Sequence, residues 1–188
     1  MFQTVSGLLL IIYFSFITPI QTTQKIIFKT TSGKVKFISE APLETITASS
    51  EELKGLIDTS KNTFAFSVSI NSFKGFNSAL QQEHFNENYM ESSEYPVATF
   101  SGKIIEIVDF TKPGVVQVRA KGLLNIHGVK VERIIKSTIT IGDNELSINS
   151  NFLVNLQDHN IKIPRIVYQK IAPEIAVDIT ATLAPAQI

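Results

Sequence analysis

Apolar and polar residues alternate along most of this chain, and this two-residue period constrains its fold more than any other feature. The clearest example is 146–157, where one face carries Leu146, Ile148, Ser150, Phe152, Val154 and Leu156. The same period recurs in 63–70, 115–128 and 174–183. Because successive side chains of a strand point to opposite faces, each stretch predicts a strand with one dry and one wet face.

Strands with one dry and one wet face are typical of antiparallel sheets. Roughly eight such strands separated by turn signals predict an all-β protein, either a closed antiparallel barrel or a sandwich. Closure would also remove exposed strand edges. The turn signals Gly142-Asp143-Asn144 and Lys112-Pro113-Gly114 predict tight hairpins. No linker or repeat interrupts the pattern, so we expect 24–188 to form one domain.

Two segments lack the alternation and predict short helices. In 77–89, Asn77 or Ser78 is suited to cap a helix N-terminus. In 164–171, Pro164 fits the first helical position, and Pro173 prevents the helix from continuing.

The N-terminal segment 1–23 carries no charged residue, and 5–20 is almost continuously apolar. That run is shorter than the ~20 residues of a membrane-spanning helix, and its position predicts a secretory signal peptide, with cleavage between 20 and 24. The mature protein would then be periplasmic or secreted and have no stable transmembrane span. An uncleaved anchor and a buried apolar helix are the alternatives.

Composition excludes several functions. Seventeen basic residues balance seventeen acidic ones, which gives no electrostatic footprint for nucleic acid. The chain has no cysteine, so disulfides and thiolate metal sites are excluded. Its three histidines, His84, His127 and His159, follow no compact metal-ligand spacing, and we expect no metal and no other cofactor. Asp158-His159 could serve a hydrolase, but no Gly-x-Ser-x-Gly motif accompanies it, so we expect no catalytic residue.

Two motifs connect the chain to a known family. The first comprises His84-Phe85, then Tyr95-Pro96 and Phe100; the second is 122–128, Gly-Leu-Leu-Asn-Ile-His-Gly. In order and spacing they resemble the YceI-like polyisoprenoid- and lipid-binding family, over roughly 33–183. The chain departs from the family pattern before His84, where the Arg-Asp pair is missing, and before the last strand, where Arg-x-x-Phe-Gly is missing.

The resemblance implies an eight-stranded antiparallel, lipocalin-like β-barrel with one or two short helices near its mouth. It also implies a long apolar pocket for an isoprenoid, a fatty-acyl chain or a similar lipid-like molecule. We expect His84 and Phe85 at the mouth, while His127 points outward and is interpreted as a surface or turn residue. The inward-facing candidates for the apolar lining are Phe37, Phe64, Phe66, Val68, Phe100, Ile126, Phe152 and Val154.

Two other interpretations stay open at this point. The protein could be a structural or partner-binding exported barrel without a ligand. An eight-stranded barrel has an interior that side chains alone can fill, so the lining residues could form a solid core. The second possibility is a hydrolase. The sequence also leaves a homodimer open.

Overall fold

The computed structural model describes residues 27–186, and the predicted signal peptide 1–23 lies outside the described residues. Eight strands form a closed barrel in which each strand pairs with the next and β8 pairs with β1. Every pairing is antiparallel. The strands are β1 (Ile27–Glu40), β2 (Thr45–Asp58), β3 (Thr63–Ser69), β4 (Val97–Ile104), β5 (Gly114–Ile126), β6 (Val129–Ile141), β7 (Leu146–Asn155) and β8 (Glu174–Pro185). The predicted barrel is confirmed, and the sandwich alternative is wrong.

One end of the barrel is filled by its own side chains. Phe28 at the start of β1, Ile141 at the end of β6, and Leu146 and Leu183 of β7 and β8 are all buried there. They belong to one apolar cluster with the inward faces of the other strands. The connections at this end are the turns or loops 59–62, 105–113 and 142–145. We call this the closed end.

The other end, which we call the mouth, carries all the helical segments. They lie in the connections 70–96 and 156–173, which follow β3 and β7. The segments are the helix α1 (Ala79–His84), the wider turn Phe85–Tyr89 and the 3₁₀ turns Ile70–Ser72, Leu156–His159 and Arg165–Val167. Within 27–186, no helix has the length and apolar character that a bilayer span requires.

The predicted helices are present in shortened form. In 77–89, Ser78 is the N-cap, and its hydroxyl oxygen accepts a hydrogen bond from the Gln81 amide at 3.1 Å. The regular helix ends at His84, after which the chain widens into the turn Phe85–Tyr89. The segment 164–171 forms only a 3₁₀ turn at Arg165–Val167, and Pro164 precedes it with extended backbone angles.

Two strand boundaries also differ from the sequence prediction. β7 ends at Asn155, not at 157, because the Asn155 side chain accepts a hydrogen bond from the Gln157 amide and starts a 3₁₀ turn. Lys112-Pro113-Gly114 is not a tight hairpin but the end of a loop that spans 105–113. The tight turn at 142–145 is present, closed by the Gly142 amide donating to the Glu145 carbonyl at 2.9 Å.

Candidate ligand-binding cavity

The barrel encloses a cavity of about 580 Å³ that reaches the mouth. Its volume lies within the ~300–1,000 Å³ that small-molecule sites in proteins occupy. Most of its wall is apolar and comes from the inward faces of the strands. The side chains that fill the closed end, among them Phe28, Leu146 and Leu183, are not part of the wall, so the cavity opens at the mouth only.

The structure places all ten predicted site residues on the wall of this cavity. Phe64, Val68 and Val154 are buried. The inward-facing Phe37, Phe66, Phe100, Ile126 and Phe152 are only half-buried. A ring that points into a barrel and still has accessible surface lies beside empty space, so these side chains do not plug the lumen. Contact of the ten residues with a ligand stays a prediction.

Phe66 reaches across the inner wall because its neighbour on β2 has no side chain. Gly55 is paired with Phe66, and a Cβ atom on Gly55 would meet Cδ1 and Cε1 of that ring far inside 3.0 Å. The ring therefore lies over the glycine, next to the cavity. Phe64 on the same strand packs against Phe100 with ring centroids 4.9 Å apart.

A cluster of four phenylalanines forms one side of the mouth. Phe37 stacks on Phe85 with a centroid distance of 5.4 Å, and Phe76 packs on Phe85 at 5.0 Å. Phe73 contacts Phe37 at 5.6 Å. The sequence prediction missed Phe73 and Phe76, which lie between the predicted strand 63–70 and the predicted helix 77–89. Two phenylalanines three residues apart, flanking Gly75, were the available signal.

Few polar groups line the opening. They include Glu44, Gln81, His84 and Lys170. Glu44 Oε1 accepts a hydrogen bond from Gln81 Nε2 at 3.0 Å, which ties the β1–β2 turn to α1. The His84 side chain is solvent-exposed, as a mouth residue would be. Glu44 and Lys170 were missed because the turns in which they lie give no periodic signal.

His127 occupies the β5–β6 turn with φ of 51°, but it is not a surface side chain. Its imidazole is only 11% exposed. Nε2 lies 2.6 Å from a Glu91 carboxylate oxygen, and Nδ1 lies 3.1 Å from the His159 carbonyl oxygen. The Tyr95 ring packs edge-on against it at 4.6 Å. The sequence interpretation was right about the turn and wrong about exposure: His127 fastens the segment after α1 to the barrel.

His159 is fully buried beside the same turn, outside the cavity wall. Its Nδ1 lies 3.2 Å from the Val129 carbonyl oxygen. Burial lowers the pKa of His159 below its ordinary value, although backbone carbonyl groups offset part of that effect. A buried imidazole bound to backbone has a structural role, which removes the basis for an Asp158-His159 hydrolase site. Among residues 27–186, no three metal-ligating side chains converge on one point.

Fold and cavity together define a lipocalin-like protein: a closed antiparallel β-barrel with an apolar interior that opens at one end. The model of the YceI-like domain family matches residues 18–183. The chain therefore belongs to the YceI-like family. No curated protein matches the sequence at a significant level.

Solved structures share the fold at low sequence identity. A polyisoprenoid binding domain from Saccharophagus degradans implicated in plant cell wall breakdown is 14% identical, with a TM-score of 0.72, 87% of this chain and 100% of that chain covered. Burkholderia cenocepacia BcnA is 14% identical and has a TM-score of 0.66, and the match covers 81% of this chain and 96% of BcnA. The Campylobacter jejuni YCEI protein is 13% identical and has a TM-score of 0.55, and the match covers 97% of this chain and 94% of the YCEI chain.

Proposed function

We propose that this protein binds a long apolar molecule, an isoprenoid or a fatty-acyl chain, inside its barrel and carries it without chemical change. One observation carries the proposal: a cavity of about 580 Å³, closed at one end, into which the half-buried rings of Phe37, Phe66, Phe100 and Phe152 point with part of their surface still accessible. The domain from Saccharophagus degradans with the same fold is described as polyisoprenoid-binding, which supports this ligand class.

The physical driving force would be removal of the chain from water. Each buried methylene contributes about 0.8 kcal/mol, so a chain of about fifteen carbons would gain about 12 kcal/mol. Association costs at least about 4 kcal/mol in lost freedom. The surplus is therefore at most about 8 kcal/mol, which corresponds to micromolar affinity or weaker. Such binding needs only a few polar groups, which would orient a head group at the mouth.

A barrel with a purely structural role is the competing interpretation, and it predicts a lumen filled by side chains. Phe37, Phe66 and Phe152 would then pack against one another across the barrel axis. Their accessible surface toward the cavity favours the carrier instead. A catalytic role lacks support because His159 is buried outside the cavity, and the mouth carboxylate of Glu44 is held by two amide side chains.

The same proposal includes export to the periplasm or the medium. It is supported by the uncharged, apolar segment 1–23. Expression of the full-length chain in a bacterial host, followed by fractionation and mass measurement of the recovered N-terminus, tests it. We expect the protein outside the cytoplasm with an N-terminus between 20 and 24. Cytoplasmic protein that begins at Met1 would contradict export.

Ligand binding is tested with two aspartate variants of adjacent residues on β7. Phe152 lines the cavity, whereas Leu153 is exposed on the outer face of the barrel. Phe152→Asp places an unpaired charge in the cavity, where desolvation makes it costly, and should abolish binding of a fluorescent fatty acid. Leu153→Asp places the same charge in water and should bind normally.

Two further measurements keep the test decisive where Phe152→Asp does not fold. Phe152→Leu enlarges the cavity without adding charge and should shift the preference toward longer acyl chains. Organic extraction of the purified protein, followed by mass spectrometry, should yield a lipid-like molecule. Equal binding by Phe152→Asp and Leu153→Asp, or a wild-type protein that binds no acyl or isoprenoid chain, would overturn the proposal.

A further inference from the structure

We propose that one side of the mouth docks onto a bilayer that contains anionic lipids, so that the cavity loads and unloads at the membrane surface. This inference rests on the proposed lipid carrier. The docking surface consists of residues 161–172 together with Leu43, and we call it the basic lip. The partner of the basic lip is an anionic lipid surface.

The basic lip exposes large apolar side chains beside the opening. Ile166 is 92% exposed, Tyr168 is 64% exposed and Leu43 is 66% exposed. Leu43 adjoins the segment because its amide donates to the Gln169 carbonyl at 2.9 Å. Single exposed apolar residues are ordinary. Three exposed apolar side chains on two hydrogen-bonded loops, at the entrance of an apolar cavity, are typical of an interaction site.

The charges of the basic lip identify the partner. Residues 161–172 contain Lys162, Arg165 and Lys170 and no acidic residue. All three are exposed, and none forms an ion pair with another of the described residues. Apolar side chains flanked by free cations are the combination that binds at an anionic lipid–water interface.

The opposite side of the mouth carries the opposite charge, and this sets the orientation. The connection 70–96 contains Glu83, Glu87, Glu91 and Glu94 against a single lysine, Lys74. An anionic surface would repel this side and attract the basic lip. The barrel would therefore meet the bilayer on the side of 161–172, with its opening beside the headgroups.

The same segment also lines the cavity, which connects docking with transfer. Val167, Lys170 and Ile171 are on the cavity wall. Ile166 and Tyr168, the two neighbours of Val167 in the chain, point into solvent. A chain that leaves along this segment can enter the bilayer without crossing water. Crossing water would expose every methylene at a cost of about 0.8 kcal/mol each.

The test is flotation of the exported protein, freed of the apolar segment 1–23, with vesicles of phosphatidylcholine alone or mixed with phosphatidylglycerol. We expect binding to the mixed vesicles that weakens strongly at about 1 M salt, where the Debye length falls to ~3 Å. Each cationic side chain near an anionic surface contributes about fivefold to binding. Lys162→Glu/Arg165→Glu should therefore lower binding by at least about 25-fold, and Ile166→Ser/Tyr168→Ser by about tenfold.

The matched control changes the same kinds of residue at the closed end. Ile107, which is 98% exposed, and Lys61 lie on loops of that end. Ile107→Ser/Lys61→Glu should bind mixed vesicles within about twofold of wild type. Equal losses of vesicle binding in the control variant and in the variants of the basic lip would overturn the proposal. Binding that is equal with and without phosphatidylglycerol would also overturn it, because the cations of the basic lip would then not select an anionic surface.

Acyl-chain binding measured without vesicles separates this inference from the proposed function. Lys162→Glu/Arg165→Glu changes residues that are not on the cavity wall, so it should bind a fluorescent fatty acid like wild type. Normal fatty-acid binding with unchanged vesicle binding in this variant would refute docking alone. Lip-dependent vesicle binding by a wild-type protein that binds no fatty acid would refute the carrier and leave docking in place.

Discussion

Gly55→Ala tests directly whether the lumen of this barrel is hollow. The new Cβ atom would lie far inside 3.0 Å of the Phe66 ring, a separation that real Cβ atoms essentially never show. Carbon atoms in contact are about 3.5–4.0 Å apart, so the ring has to move by more than about 1 Å. Phe66 lies on the cavity wall, and the available direction is into the cavity.

The change in the free energy of unfolding depends on the empty space into which the Phe66 ring moves. Overpacking a filled core costs about 1–3 kcal/mol, and a ring that can move into empty space places the cost at the lower end. Replacing glycine by alanine within a strand returns about 0.5–1 kcal/mol of backbone entropy. We therefore expect Gly55→Ala to change the free energy of unfolding by less than about 1 kcal/mol. The displaced ring narrows the cavity, so acyl-chain affinity should fall.

Gly102→Ala is the matched control. Gly102 pairs with Gly122 across β4 and β5, and its Cβ would collide with the Lys121 carbonyl oxygen and the Gly122 backbone. The backbone of a closed barrel cannot move aside as a ring can, so we expect a loss above about 3 kcal/mol. Urea unfolding gives both free energies, and fatty-acid titration gives the affinity. Equal destabilisation by the two variants would show that the lumen is filled and would refute the hollow barrel.

Two predictions concern the residues around the β5–β6 turn. Burial lowers the pKa of His159 below 6.5, so below that pH the unfolded chain binds more protons than the folded one, and stability should fall as the pH drops through this window. His159→Gln should flatten the slope of the urea midpoint between about pH 7 and 5, and an unchanged slope would contradict the assignment. His127→Asn keeps a residue that tolerates positive φ but loses the contacts with Glu91 and Tyr95. It should cost about 2 kcal/mol and raise hydrogen exchange in Ala79–His84, whereas protection equal to wild type would show that the contact does not hold the helix.

The sequence predicted the wall of the barrel because period two decides which side chains point inward. On β7, Phe152 and Val154 line the cavity while Leu153 points outward, as the alternation requires. The pattern could not decide whether the interior is hollow. That depends on how far the rings reach across the barrel, and the Phe66 ring is placed by the missing side chain of Gly55 on another strand.

The errors of the prediction lie where side chains, not periodicity, decide the backbone. Leu156 continues the alternation of β7, yet the Asn155 side chain accepts a hydrogen bond from the Gln157 amide and ends the strand. The contact between His127 and Glu91 joins residues that are distant in sequence and therefore left no local signal. Phe73 and Phe76 were missed for the same reason, since their partners Phe37 and Phe85 lie elsewhere in the chain.

The position of the mouth follows from the topology. In an up-and-down antiparallel barrel, the connections after odd-numbered strands all meet at one end. Here the two long connections, 70–96 and 156–173, follow β3 and β7, so both fall at the same end of the cavity. The first brings four glutamates and a single lysine, Lys74, while 161–172 within the second brings three cations and no acid. Since the opposite end is filled by Leu146, Leu183 and their neighbours, any molecule that enters the cavity has to pass between two lips of opposite charge.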